Sequence, residues 1–144
     1  MPRINSPVLT PTEKTRHTHR WTEIILRAVS TKVAKRWRFV SFRGKGKGEW
    51  VGVVDLLALR KQTAKPTRLP LKRGDLFEII LIQMKGGSAR RPSLEERQRL
   101  RTVGRHYRVK AIVLFEWSRT KATRFSVLTS RLDWEEATCA GIFG

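Results

Sequence analysis

The chain has 144 residues, of which 40% are hydrophobic, so it is long enough for one domain with a buried core and too apolar for a disordered polymer. Lys and Arg number 31 against 12 Asp and Glu, a formal net charge of +19, which favours nucleic acid as a partner over an anionic membrane. The single cysteine, Cys139, excludes an intramolecular disulfide, and no apolar run could cross a bilayer or act as a secretory signal, so we expect a cytoplasmic protein.

The first third of the chain predicts an arm, a helix and a strand. Residues 1–20 hold three prolines and several cations, and we interpret them as a flexible basic N-terminal arm before one α/β domain at residues 21–144. Apolar residues at helical spacing predict a helix over 21–36, with an inner stripe of Trp21, Ile24, Ile25, Ala28 and Val29. The stretch RFVSF then predicts a short strand, and the Gly-Lys repeat GKGKG after it predicts a hairpin connection.

The middle of the chain predicts two more strands and a helix. EWVGVVDLLALR, at 49–60, is typical of a strand with Asp55 in its middle, and LFEIILIQMK, at 76–85, is typical of a buried strand. Ser93 followed by Glu96 has capping-box spacing, which predicts a helix from Leu94 to about His106. Leu100, Val103 and Tyr107 would form its inner stripe.

The last third predicts further strands and a short helix. KAIVLFEW and FSVL are typical of strands, and Asp133 with Glu136 repeats the capping spacing before a predicted C-terminal helix, WEEATCAG. From the first helix onward the order is α-β-β-β-α-β. A helical crossover between the third and fourth strands implies parallel pairing there. We therefore predict an α/β fold, with one central mixed sheet flanked by helices.

Three polar residues are expected at one end of this sheet. Alternation places Gln83 and Lys85 on the same face of the third strand, and if the second strand pairs with it, Asp55 meets them. Alternatively, Gln83 and Lys85 mark a strand that runs out into solvent. A buried acid is costly unless it is paired or binds a metal. Carboxylate and amide oxygens suit Mg²⁺, and a nearby lysine can offset charge on a phosphate.

Asp55, a loop, Gln83-Met84-Lys85, a helix and a strand together resemble the core of the PD-(D/E)xK nuclease superfamily, and in style its small Holliday-junction resolvases. The resemblance covers about Trp21 to Trp117 and implies a restriction-endonuclease-like α-β-β-β-α-β core. It implies a metal-dependent endonuclease that hydrolyses DNA. The likeness to the resolvases, which act as dimers, favours branched or structured DNA and a homodimer. Gln83 stands where the family usually has an acid.

The resemblance also assigns roles. Asp55 would be the principal ligand of Mg²⁺ (or Mn²⁺), Gln83 a second ligand and Met84 a ligand through its carbonyl oxygen. Lys85 would be the catalytic cation that acts on the attacking water. Glu23 is the candidate for the acid that many members carry on the first helix. Because an amide ligates without charge, Glu23 or Glu49 would have to compensate for weaker metal binding.

The cationic excess predicts phosphate contacts by basic residues in the loops and near the second helix. The candidates are Lys45, Lys47, Arg60, Lys61, Arg68, Arg90, Arg91 and Arg97. Two other functions remain open from the sequence. One is a non-catalytic protein that binds DNA through charge alone, with Gln83 marking a lost site, and the other is a basic protein bound to structured RNA.

Overall fold

A computed structural model of the protein describes residues 11–33, 35–42, 52–86, 89–118 and 122–144, with side chains described from residue 20 onward. Within these ranges, six strands form one mixed sheet in the order β1-β2-β3-β4-β5-β6, and helices cover both of its faces. The elements in chain order are α1 (Pro11–Val33), β1 (Arg38–Ser41), β2 (Leu56–Lys61), β3 (Phe77–Gly86), α2 (Leu94–Tyr107), β4 (Ala111–Trp117), β5 (Arg124–Leu128), β6 (Trp134–Ala137) and α3 (Cys139–Phe143).

The sheet is antiparallel except between β3 and β4, which are joined by α2 and run parallel. This is the α/β architecture predicted from the sequence, and its first six elements have the predicted order. The parallel pair follows from the helical crossover, because a chain that returns through a helix re-enters the sheet in its original direction. β5, β6 and α3 extend the sheet and the core beyond the sixth element.

Two apolar cores lie on opposite faces of the sheet. On the α1 face, Leu26 packs with Ile80, Ile82 and Phe115 of the central strands and with Phe143 of α3. The α2 face has a smaller core that consists of Leu81, Leu100, Ile112 and Leu128, with Val103 partly buried beside it. Central strands buried on both faces explain the nearly continuous apolar runs in β3 and β4.

The first helix differs from its prediction at its start and in its buried face. α1 begins at Pro11, where the missing N–H of proline is tolerated in the first turn, so half of the predicted arm is helical and residues 1–10 lie outside the described residues. The fully buried residues are Thr22, Leu26 and Ser30, whereas Trp21 is 47% exposed. Ile25 and Val29 of the predicted stripe are partly buried against the core, but the centre of the buried stripe is rotated by about 100°, one residue step, from the prediction.

The second helix agrees closely with the prediction. Ser93 is its N-cap, with a side-chain oxygen that accepts the Glu96 N–H at 3.2 Å, and Leu100 is fully buried. Tyr107 was predicted on the inner stripe but is 60% exposed. It is the last helical residue, directly before the left-handed Arg108, so the chain leaves the helix before Tyr107 reaches the core.

The C-terminal prediction was wrong for its first half. Trp134–Ala137 is the strand β6, paired with β5, and the helix starts only at Cys139 behind the N-cap Thr138. Asp133, the predicted cap, instead closes a turn, since its N–H donates to Thr129 Oγ1 and its carbonyl accepts from the Thr129 N–H. The capping spacing was accidental because a free sheet edge was available to the chain.

Candidate functional site

Asp55 lies directly before β2, not inside a strand as predicted. Its backbone N–H donates to the Ile82 carbonyl at 3.1 Å, and its carbonyl accepts from the Phe42 N–H at 3.2 Å. One carboxylate oxygen, Oδ2, accepts the backbone N–H of Met84 at 2.8 Å. The residue is therefore tied to both neighbouring strands, and its carboxylate lies against β3 between Gln83 and Lys85.

The backbone hydrogen-bond ladder between β2 and β3 becomes irregular next to Asp55. Leu56, the first residue of β2, pairs with Ile82. If this register continued towards the N-terminus, Asp55 would lie opposite Gln83. Instead, the Asp55 N–H donates to the carbonyl of Ile82, one residue before Gln83. The Met84 N–H donates to the Asp55 carboxylate rather than to a backbone carbonyl. Such an offset resembles a β-bulge, a feature that re-aims side chains at strand ends. The carboxylate thus takes the place of a backbone acceptor.

Gln83 and Lys85 share the α2 face of β3. Met84 belongs to the core on the α1 face, so alternation sends its two neighbours to the other side. Gln83 is 6% exposed, and its Oε1 is buried without a hydrogen-bond partner among the described residues. Lys85 is partly buried, and none of the ion pairs within the described part of the chain includes it. Both groups have unused capacity to bind a ligand.

The donors at this end of the sheet suit a hard cation. The N–H and C=O of one strand residue point to the same side, so the Met84 carbonyl also faces the Asp55 side of β3. A carboxylate, a backbone carbonyl and the orphaned amide oxygen of Gln83 are ligand types that Mg²⁺ accepts alongside water. Among the described residues, however, no group of three or more His, Cys, Asp and Glu side chains is placed to hold a metal.

Glu23 is not brought together with these groups. It lies on α1, on the opposite face of the sheet, where Oε1 accepts from Arg27 at 2.7 Å and Oε2 from the Ser41 hydroxyl at 3.2 Å. Ser41 pairs with Leu56, the residue after Asp55, so Glu23 does reach the same end of the sheet. Its carboxylate already has a cation and a hydroxyl as partners. Glu49, the other compensating candidate, lies outside the described residues.

The predicted phosphate-binding cations divide into two groups. Arg60 pairs with Glu78 and stacks on the Trp37 ring at 4.4 Å, and Arg97 donates to the Leu132 carbonyl at 2.6 Å, so both have structural contacts. The exposed candidates are Lys61, Arg68, Arg90 and Arg91. Lys45 and Lys47 lie outside the described residues.

One acid beside Lys85 was missed from the sequence. Glu116 on β4 is in register with Lys85, and it accepts a forked hydrogen bond from Arg91, with Nη2 at 2.8 Å from Oε1. The hydrogen bond that Arg91 donates to Glu116 is the main reason that the pKa of Arg91 is raised, with a further contribution from the charge of Glu136. Only the parallel register reveals this neighbour, since Lys85 and Glu116 are 31 residues apart in sequence.

Comparison with known proteins adds no relative, because scans of family models, of curated proteins and of solved structures all returned no match. Among the described helices, none combines the length and apolar character needed to cross a bilayer.

Proposed function

We propose that this protein is a metal-dependent endonuclease of the PD-(D/E)xK type that hydrolyses DNA. The observation that carries the proposal is the position of the Asp55 carboxylate, 2.8 Å from the Met84 amide, between Gln83 and Lys85. An acid therefore lies at one end of two neighbouring strands, together with an amide oxygen and a lysine that have no hydrogen-bond or ion-pair partner within the described part of the chain.

The connectivity supports a restriction-endonuclease-like core as part of the proposal. An antiparallel β1-β2-β3 unit follows α1, and α2 then leads to β4, parallel to β3. Asp55 lies directly before β2 and Gln83-Met84-Lys85 lies near the end of β3, an arrangement that supports the resemblance. β5, β6 and α3 would then be additions to that core.

The residues suggest how the chemistry would be divided. Asp55, Gln83 and the Met84 carbonyl would hold Mg²⁺, which when bound supplies Lewis-acid stabilisation of the phosphate and a more acidic water. Lys85 would hydrogen-bond the scissile phosphate or the attacking water, and its positive charge would offset the charge that develops there. Partial burial strengthens that electrostatic contribution, since charges interact more strongly away from bulk solvent.

A non-catalytic DNA-binding protein is the second candidate. It is favoured by the neutral Gln83 in the family's acidic position and by the lack of a three-acid group among the described residues. Asp55 would then have a structural role, which includes accepting the Met84 N–H at the strand end. The net charge of +19 would supply the affinity.

A cleavage assay with matched variants separates the two candidates. Labelled duplex, nicked and four-way-junction DNA, with a structured RNA as a further probe, would be incubated with Mg²⁺, Mn²⁺ or EDTA. Asp55→Asn keeps an oxygen for the Met84 N–H but removes the charge, and Lys85→Met keeps the aliphatic stem. The matched control is Asp75→Asn, because Asp75 also accepts a backbone N–H, from Lys72 at 2.8 Å, but lies in an exposed loop.

We expect metal-dependent products from the wild type and from Asp75→Asn, and at least a 100-fold loss in Asp55→Asn and Lys85→Met, about 2.7 kcal/mol of barrier. DNA binding without products in every metal would establish the second candidate instead. Preferential binding of the RNA at matched salt would move the partner to structured RNA.

A further inference from the structure

Glu116 lies in a row of charged residues across three strands. Its register partners are Lys85 on β3 and Arg124 on β5. Leu128, four residues after Arg124, and Ile112, four residues before Glu116, both belong to the α2-face core. Alternation therefore places all three charged side chains on the α2 face. Neighbouring strands are about 4.8 Å apart, so the row spans roughly 10 Å at the carboxyl end of β3.

Arg91 completes this group from the segment between β3 and α2. Its Nε and Nη2 atoms donate to the Glu116 carboxylate at 2.8 to 3.3 Å. The fork fixes the plane of the guanidinium but uses only part of its five N–H donors. The Arg91 side chain is 43% exposed, so its remaining donors face solvent, and Arg124 is exposed as well.

The pair contributes little to stability but much to geometry. An exposed ion pair stabilises a fold by about 0–1 kcal/mol, so stability alone does not account for the Arg91–Glu116 fork. Arg91 follows a glycine-containing segment, and the fork is what ties its side chain to the sheet beside Lys85. The cations Lys85, Arg91 and Arg124 lie around Glu116, with Asp55 beside Lys85 and Glu136 near Arg91 as further acids. The exposed guanidinium groups of Arg91 and Arg124 still present N–H donors to an anion.

We propose that Lys85, Arg91 and Arg124 form a site for consecutive backbone phosphates of DNA, and that Glu116 is the positioning residue that holds Arg91 in it. The inference rests on the proposed function in taking DNA as the partner. It extends the site from the metal-binding end of β2 and β3 across β4 to β5. Planar guanidinium groups suit this task, because they bind phosphate oxygens in pairs.

The direction in which DNA affinity changes on one substitution tests the role of Glu116. Glu116→Gln removes a negative charge, so charge alone predicts tighter DNA binding. The amide keeps one acceptor oxygen but cannot accept the fork, so a weaker hold on Arg91 predicts the reverse, a 3- to 10-fold weaker affinity, with the salt slope of log K reduced by up to roughly 0.9, the value for one lost phosphate. The control is Glu135→Gln, an exposed acid on the other face of the sheet, which should leave binding unchanged or tighten it.

Two further variants make the test independent of any folding defect in Glu116→Gln. Arg91→Lys retains the charge but cannot make the fork, and Arg124→Gln removes a cation at an exposed position. Both should lower the affinity and the salt slope as Glu116→Gln does. Binding would be measured by fluorescence anisotropy of a labelled duplex in EDTA between 50 and 300 mM NaCl, with folding checked by circular dichroism.

Tighter or unchanged binding by folded Glu116→Gln would overturn the positioning role, as would a wild-type affinity and slope in Arg91→Lys. Since no metal is present, the result does not depend on cleavage. Loss of affinity in these variants together with an absence of cleavage by the wild type would reject the nuclease and leave the phosphate site in place.

Discussion

In the proposed metal site at the end of β2 and β3, Gln83 is the residue that would decide how strongly a metal binds. Its side chain is 6% exposed, and its Oε1 has no hydrogen-bond partner among the described residues. A buried polar atom without a partner costs about 1–3 kcal/mol. A native chain tolerates that cost most readily where a ligand removes it, so the amide oxygen supports a binding role for this end of the sheet.

Replacing Gln83 with an acid should make stability depend on metal. In EDTA, Gln83→Glu buries a carboxylate and should lower the free energy of unfolding by about 1–3 kcal/mol, or raise the pKa of the new carboxyl so that it stays neutral. Mn²⁺ or Mg²⁺ at 100 times its dissociation constant should raise the free energy of unfolding of this variant by about 2.7 kcal/mol. Urea titration with and without metal measures both effects.

The comparison for that titration is Gln98→Glu, an exposed substitution on α2. It should change stability by less than about 0.5 kcal/mol and should not respond to metal. If Gln83→Glu were equally stable in EDTA and in Mn²⁺, this end of the sheet would not be a metal site.

Cys139 provides a pH-dependent readout of the core around α3. Burial raises the pKa of its thiol, and the Ser30 side chain on α1 opposes the shift by a smaller amount. The thiolate should therefore form at higher pH in the native protein than in the urea-unfolded chain, and Ser30→Ala should move it higher still. Because the folded pKa is raised, the stabilising contribution is present below the unfolded pKa and is lost as pH rises towards the folded one. The rate of reaction with Ellman's reagent against pH measures the shift, and coincident native and unfolded profiles would contradict it.

Among the elements, the junction between the start of β2 and the end of β3 depends in part on a side-chain hydrogen bond. The Asp55 carboxylate accepts the Met84 N–H where the backbone ladder ends. Asp55→Ala should leave that N–H unpaired and destabilise the fold by about 1–3 kcal/mol, whereas Asp55→Asn should lose clearly less because its amide oxygen can still accept. Chemical denaturation of the two variants measures the difference. Equal losses would mean that the charge, not the hydrogen bond, stabilises this strand end.

Local sequence signals predicted some elements correctly and failed where pairing between strands determined the secondary structure. Ser93 and Glu96 satisfy each other within one turn, so α2 and its start could be predicted from sequence. Trp134–Ala137 has the same kind of signal but became a strand because β5 offered it an edge. Period-two alternation placed Gln83 and Lys85 on one face of β3, and Asp55 lies beside them although it precedes β2. Glu116 was missed because its proximity depends on the register across a parallel pair.

At the scale of the whole molecule, an excess of positive charge opposes the compact state. The formal charge is +19, and the described ion pairs, such as Arg27–Glu23 and Arg91–Glu116, are each worth about 0–1 kcal/mol when exposed. Repulsion among so many cations acts over the Debye length, about 30 Å at 0.01 M salt and about 8 Å at 0.15 M. Screening should therefore remove more repulsion than attraction.

The melting temperature should accordingly rise between 10 and 300 mM NaCl at pH 7, although salt weakens each ion pair. Duplex DNA added at 10 mM NaCl should produce a similar rise, because a polyanion that binds the folded surface stabilises it by mass action. A triple variant of exposed cations at and after the end of β2, Lys61→Gln with Lys65→Gln and Arg68→Gln, should show a smaller salt response, since it starts from less repulsion. Differential scanning fluorimetry measures all three. A melting temperature that falls with added salt would mean that ion pairs outweigh repulsion, and the cationic excess would then be part of the fold rather than a surface held for a partner.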